Sequence, residues 1–256
     1  MQSPTRQKIT SLFIGLMLLN TPLSFAQQIP ETLYLASTDW CPYACQNNGR
    51  KKGIAFDYVQ YLLAQYGRKI QIVFLPWSRA IQEVNNGNSD GLLTAVPSES
   101  PELLFTHQPL MTYQMCFYGL PSALWQYTNK DSLVQVTIGV MADYGYGEPL
   151  DSFIADNTHN NIVQLAGSEG LGRLVLMLEK NRIAALIEDA NVMNWHLQNN
   201  DKHTVKQLGC LSQNPFYLAL SPKLPWAASL IHLLDRSLSD PTNISWLENH
   251  IRSEYR

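Results

Sequence analysis

The amino-acid sequence predicts an α/β protein of two lobes joined by two crossings. Three observations point to it. Apolar runs of strand length alternate with stretches of helical apolar periodicity, the pattern of a parallel sheet with right-handed crossovers. The alternation restarts at Val136 as a second unit of the same kind. Two extended segments, Met111 to Gly119 and Gln207 to Leu220, stand where the chain would pass between the units.

Each element has its own signal. Thr32 to Ser37 reads as the first strand and runs into the turn Trp40-Cys41-Pro42-Tyr43. From Ile54 to Tyr66, apolar residues at 54, 58, 59, 62, 63 and 66 share one helix face, and Gly67 stops it. Ile70 to Leu75 is the second strand; Pro76-Trp77 turns the chain, and Ser78 is expected to cap a helix through Val84. Asn85-Asn86-Gly87-Asn88 closes that helix, and Gly91 to Val96 is the third strand. In the second unit, Val136 to Met141 is a strand halted at Asp143-Tyr144-Gly145-Tyr146-Gly147, and Ile162 to Leu165 is a shorter one. Ser168 is expected to cap a helix with Leu171, Leu174, Val175 and Leu178 on one face, before a buried strand from Ile183 to Ile187. Pro225 opens a helix through Leu238, and Ile244 onward is a last amphipathic helix returning to the first lobe. The lobes are expected at 27–115 with 212–256, and at 116–211 including the crossings.

Composition excludes whole classes. The chain has 256 residues, 45% apolar and 15% charged, with net charge -3. That is too apolar and too weakly charged for disorder, and long enough for one large domain or two small ones. No basic run exceeds Arg50-Lys51-Lys52, so the electrostatic footprint of a nucleic-acid binder is missing. At the start, Arg6 and Lys8 precede the apolar run Ile9 to Leu19, which is short for a membrane span, and Ser24-Phe25-Ala26 supplies small residues for cleavage. Residues 1–26 are therefore expected to be a signal peptide, cleaved near Ala26, for a periplasmic protein; an N-terminal anchor is the alternative. No Cys follows Ala26, against a lipid-anchored form.

Export makes the four cysteines, Cys41, Cys45, Cys116 and Cys210, readable as disulfides. Three pairings are open. The nearness of Cys41 to Cys45 within a Pro-containing turn favours a local bridge, which would leave Cys116 with Cys210. A metal or redox site is the alternative, but Cys-x3-Cys is not the redox spacing, and zinc sites of four cysteines use two close pairs.

Catalytic signatures are absent. There is no Gly-x-Ser-x-Gly elbow, no Gly-Lys-Ser/Thr phosphate loop and no His-Glu-x-x-His helix. The six histidines never fall four residues apart, so neither metal nor cofactor is expected. Glu188-Asp189 is a carboxylate pair, but neighbours on a strand point to opposite faces, which suits them poorly to one proton-transfer site. Strand ends instead gather aromatic and polar residues: Trp40 and Tyr43, Trp77 and Arg79, Thr94, Asp143 and Tyr144, and Asp189. Open α/β sheets bind ligands outside the carboxyl ends of their strands, so these eight are the candidate ligand-binding residues.

In this order, Trp40-x-Pro-Tyr43, Gly53-Ile-Ala-Phe-Asp57, Phe74-Leu-Pro-Trp-Ser-Arg-Ala80, Gly87-Asn-Ser-Asp90, Phe105-Thr-x-x-Pro109 and Asn181-Arg-Ile-x-Ala185 give the chain a likeness along nearly its whole exported length. It resembles the family-3, amino-acid-type periplasmic solute-binding proteins that serve ABC transporters. The resemblance implies a type II clamshell that closes on a small solute by a hinge movement. It also implies that Asp189 holds a ligand amino group. Relatives that bind α-amino acids place an Arg about six residues before the Phe of Phe-Thr-x-x-Pro, paired with the ligand carboxylate. Here Thr94 to Phe105 reads TAVPSESPELLF, with Glu99 and Pro101 in that neighbourhood and no base. Either Arg79 substitutes from the next strand end, or the ligand is not an ordinary α-amino acid.

Three functions follow. The first is a monomeric, non-enzymatic binding protein that delivers a small polar, amino-acid-like or amine-bearing solute to an ABC transporter permease. The second is a receptor presenting its bound form to a membrane sensor. The third is a cyclohexadienyl-dehydratase-like enzyme, for which the missing Arg is a deficit.

Overall fold

The computed structural model describes residues 28–46, 51–156, 160–167, 169–200 and 204–255. The expected signal peptide and the expected cap Ser168 lie outside the described residues.

Two sheets organise the chain. The first holds β1 (Thr32–Ser37), β2 (Lys69–Phe74), β3 (Gly91–Ala95), β4 (Leu104–Phe105), β5 (Met111–Tyr113) and β11 (Asn214–Leu220). Its order is β2-β1-β3-β11-β4, with β5 also paired to β11. The second holds β6 (Met115–Gly119), β7 (Ile138–Met141), β8 (Ile162–Leu165), β9 (Ala185–Asp189) and β10 (Lys206–Cys210), in the order β10-β6-β9-β7-β8. β3 and β9 are buried at every position, as apolar strands covered on both faces should be.

The parallel pairing expected of each strand-helix unit is present, and the strands of the crossing segments pair the other way. β1 is parallel to β2 and β3, and β7 to β8 and β9, but β11 runs antiparallel to β3, β4 and β5, and β6 to β9 and β10. The crossings cause this. Each one gives a strand to either sheet, β5 then β6 and later β10 then β11, and the return crossing re-enters the first sheet against its grain.

Helices cover these sheets. In α1 (Ile54–Ala64), Ile54, Tyr58, Val59, Leu62 and Leu63 form the buried face. α2 (Trp77–Asn86) ends on Gly87, whose φ of 81° provides a left-handed C-cap. Its start corrects the expected Ser78 cap: the helix begins at Trp77 after Pro76, with no side-chain cap. Ser78 lies inside the first turn and donates its hydroxyl to Asp143. α3 (Leu150–Ala155) and α4 (Gly170–Glu179) follow, and α5 (Ala190–Gln198) is capped by Asp189. α6 (Ala227–Leu238) packs on β4 and α1, and α7 (Pro241–Glu254) on α1 and α6.

α7 begins earlier than its apolar pattern suggests, because Asp240 accepts from Thr242 N at 2.8 Å and Pro241 occupies the first turn. Trp246 of α7 stacks on Tyr61 with centroids 3.9 Å apart, and Asp57 accepts from His250 Nε2 at 2.9 Å and Tyr255 Oη at 2.8 Å. The chain end is thereby bound to the first lobe. Cys41 pairs with Cys45 in the loop after β1, and Cys116 with Cys210 between facing strands β6 and β10. Among the described residues no helix is long and apolar enough to cross a membrane.

Candidate functional site

The cleft lies where the carboxyl ends of β1, β2 and β3 meet the second lobe, and it has two chambers. The outer, of about 640 Å³, runs from Thr38, Asp39, Trp40, Phe74 and Pro76 to Met141, Glu169 to Gly172, Glu188 and Trp195. The inner, of about 30 Å³, is enclosed by Trp40, Trp77, Thr94, Glu99, Tyr113 and Phe216. Thr38, Trp40 and Tyr144 line both.

Trp40 is the partition. Its loop folds back through Trp40 N to Ala44 O at 2.7 Å, and is pinned by the Cys41–Cys45 bridge. Gly53 has φ 110°, and a Cβ there would overlap the Tyr43 carbonyl, so the entry to α1 must be glycine to lie against this loop. The Trp40 ring packs on Tyr43 at 4.6 Å and edge-on to Phe216 at 5.8 Å and Tyr113 at 6.2 Å. Its Nε1 donates across the cleft to Glu188 Oε1 at 3.1 Å.

Two carboxylates stand in the cleft, one from each lobe. Glu99 follows β3; its Oε2 accepts from Val96 N at 3.0 Å, and its Oε1 from Gly145 N of the opposite lobe at 2.7 Å. Gly145 approaches so closely that a Cβ would overlap Val96 and lie 3.1 Å from Glu99 Cγ. Burial pushes the Glu99 carboxyl up to about 8, against the lowering pull of its two backbone donors. Beside it, Trp77 Nε1 is buried without a hydrogen bond of ordinary geometry. Glu188, 3% exposed, accepts from Trp40 Nε1 and from Asp189 N at 2.9 Å, both on Oε1. Burial raises it to about 7. Asp39 and Glu169 add two more acids to the outer lining, and neither chamber wall contains a Lys or Arg among the described residues.

Of the eight candidates, Trp40, Trp77, Thr94 and Tyr144 meet at the chambers. Tyr43 and Asp189 lie beneath the walls, both fully buried. The Tyr43 hydroxyl accepts from Asn191 Nδ2 at 2.8 Å. Asp189 spends both oxygens on backbone: Oδ1 accepts from Asn191 N at 2.9 Å and Val192 N at 3.1 Å, and Oδ2 from Gln114 N at 2.8 Å. It caps α5 and fixes the joint between β5 and β6, and in this conformation no oxygen is turned to either chamber. Arg79 is exposed and lines neither chamber. It sits two residues, about 200° of helix, round from the inward Trp77, and so on a different face of α2. Asp143 is exposed, with φ 62°, and takes the Ser78 hydroxyl.

Sequence reading missed Tyr113 and Phe216 as walls, since nothing local tells where a crossing aims its side chains. It set Glu188 aside as half of a carboxylate pair, and saw Glu99 only as an absence of Arg. Among the described residues, hydrogen bonds that tie the lobes together across the cleft include Trp40 to Glu188, Gly145 to Glu99, Tyr113 to the Gly145 carbonyl, Ser78 to Asp143 and Asn191 to Tyr43. Among the described residues no three His, Cys, Asp or Glu side chains converge as a metal site.

No family model and no curated protein matches the chain by sequence. Solved structures do match by fold. The amino acid ABC transporter substrate-binding protein AbpA from Streptococcus pneumoniae, bound to L-arginine, superposes with a TM-score of 0.67 at 16% identity, covering 87% of this chain and 93% of that one. A histidine kinase sensor domain with similarity to periplasmic binding proteins gives 0.73 at 13%, covering 88% and 95%. An ancestral amino acid-binding protein described as a precursor of cyclohexadienyl dehydratase gives 0.67 at 16%, covering 88% and 96%. The chain therefore has the two-lobe, type II periplasmic-binding-protein fold, in which amino-acid-binding proteins are its neighbours.

Proposed function

We propose that the protein is a periplasmic solute-binding protein that captures a small amine-bearing, cationic solute between its lobes and delivers it to an ABC transporter permease. The lobes are taken as 27–115 with 212–256, and 116–211 with the crossings, in keeping with the points where strands change sheet. The observation that carries the reading is the lining: among the described residues it holds Asp39, Glu99, Glu169 and Glu188 with aromatic walls, one histidine, His196, and no Lys or Arg. A cation gains there from ring faces and from carboxylates that ionise in its presence, whereas an α-carboxylate would lose its hydration with no Lys or Arg to pair with.

Calorimetric titration with L-lysine, L-arginine, L-glutamate and the decarboxylated amines of the first two tests it. The amines are expected to bind at least as well as the parent amino acids, and glutamate not at all. Binding of the amino acids alone, with no response to the amines, would overturn the reading. The likeness to a kinase sensor domain favours a second reading, in which the bound form is presented to a membrane sensor. Cross-linking in intact cells, with identification of the partner as a permease or a kinase, decides between them. A dehydratase role has less support, because such a substrate is a carboxylate and the chamber linings offer it no Lys or Arg; unchanged prephenate after incubation with the protein would dispose of it.

A further inference from the structure

The two chambers differ in size as well as in position, and the difference assigns each a part of the ligand. The inner chamber's 30 Å³ has room for a few water-sized groups at most, which suits a slender ammonium better than a bulky trimethylammonium head. Rings of Trp40, Trp77, Tyr113 and Phe216 surround it, and Glu99 stands in its wall. Trp77, 5% exposed, lines the same small space, and its Nε1 lies beside Glu99 without a hydrogen bond of ordinary geometry. An ionised carboxylate has about four acceptor positions. Glu99 uses two for Val96 N and Gly145 N, which leaves places for the indole N–H and for one ligand donor. A cation that holds Glu99 ionised would thus strengthen the contact of the indole N–H with Glu99 as well. The outer chamber is some twenty times larger, carries Glu188, and shares Thr38, Trp40 and Tyr144 with the inner one.

We infer that the ligand is an elongated molecule whose unsubstituted primary ammonium enters the inner chamber against Glu99, while its body lies in the outer chamber with a second cationic group toward Glu188. Glu99 is then the residue that sets specificity, by admitting a slender head and by neutralising it. This rests on the proposed capture of a cationic solute and says which end of it goes where.

The test is calorimetric titration of pentane-diamine, its counterpart trimethylated on both nitrogens, and pentylamine, with the wild-type protein and with Glu99→Gln. The diamine is expected to bind the wild type, the trimethylated form to bind at least tenfold more weakly, and pentylamine to fall between them. Glu99→Gln should weaken the diamine roughly ten- to hundredfold, the range of one charge-assisted hydrogen bond, with its melting profile retained. Equal binding of diamine and trimethylated form by the wild type would overturn the assignment while leaving cation capture standing. Equal binding of the diamine by wild type and Glu99→Gln would do the same. Silence from all three compounds would overturn both. The size comparison within the wild type does not depend on how the variant folds.

Discussion

Binding of a cation in this cleft must depend on pH, and the dependence can be worked out from Glu99. In the empty cleft its carboxyl is raised to about 8, mainly by burial. A cation is drawn only by the ionised form, so its apparent affinity scales with the ionised fraction of Glu99. That fraction is about one in a hundred at pH 6, about one in ten at pH 7 and close to one at pH 9. The sign follows: a raised carboxyl holds its proton below pH 8, and the ligand must expel it. Kd should tighten by about tenfold per pH unit from 6 to 7.5 and level off above 8, with about one proton released per ligand at pH 7. Glu188, raised by burial to about 7, adds a second proton below that pH for a ligand that reaches it. A primary amine stays charged throughout, with a pKa of about 10 as for lysine. Calorimetry in two buffers of different ionisation enthalpy reads both the slope and the proton count. A Kd flat from pH 6 to 8, or one that tightens on acidification, would refute the reasoning, and Glu99→Gln should remove the slope above pH 7 and leave only the Glu188 contribution below it.

Three other perturbations separate framework from site. Asp189→Asn should lower stability by about 1–3 kcal/mol, since a charged cap is lost and a backbone donor is left facing an amide N–H, yet change Kd less than threefold; a large loss of affinity at unchanged stability would return Asp189 to the ligand. Gly145→Ala drives a methyl into Val96 and against Glu99 from the opposite lobe, so small-angle scattering should show a larger radius of gyration and titration about tenfold weaker binding; an unchanged radius would mean the lobes do not close on this contact. Replacing Cys116 and Cys210 together by Ser removes a bridge across 94 positions and should cost roughly 4 kcal/mol on the chain-entropy model, seen as a lower urea midpoint with an intact circular-dichroism spectrum; an unchanged midpoint would show that the facing strands β6 and β10 need no tie.

Much of this molecule is local in origin. The spacing of apolar residues from Ile54 to Leu63 makes one face of α1, and the unbroken runs at Gly91 to Ala95 and Ala185 to Ile187 demand strands buried on both sides. Aromatic residues just past strand ends mark a cleft at the right edge of the sheets, and Trp40, Trp77, Thr94 and Tyr144 are all there. The missing Arg between Thr94 and Phe105 is equally a property of the chain, and it already points away from an ordinary α-amino acid. These features are legible because each depends on residues a few positions apart, through periodicity, turn chemistry or strand alternation.

Side-chain destinations across the lobes are another matter. Asp189 and Glu188 are neighbours, yet one is consumed by the start of α5 and the joint at Gln114, and the other reaches the outer chamber and Trp40. Arg79 and Trp77 are two residues apart, and helix geometry sends only the second inward. Glu99 acquires its character from Gly145, forty-six positions away, and from the burial that their contact produces. The sequence by itself determined which elements form, their two-lobe grouping and the loss of the basic anchor. Only the tertiary structure decided which carboxylates face the cleft, because that choice is made by packing between segments that no local rule connects.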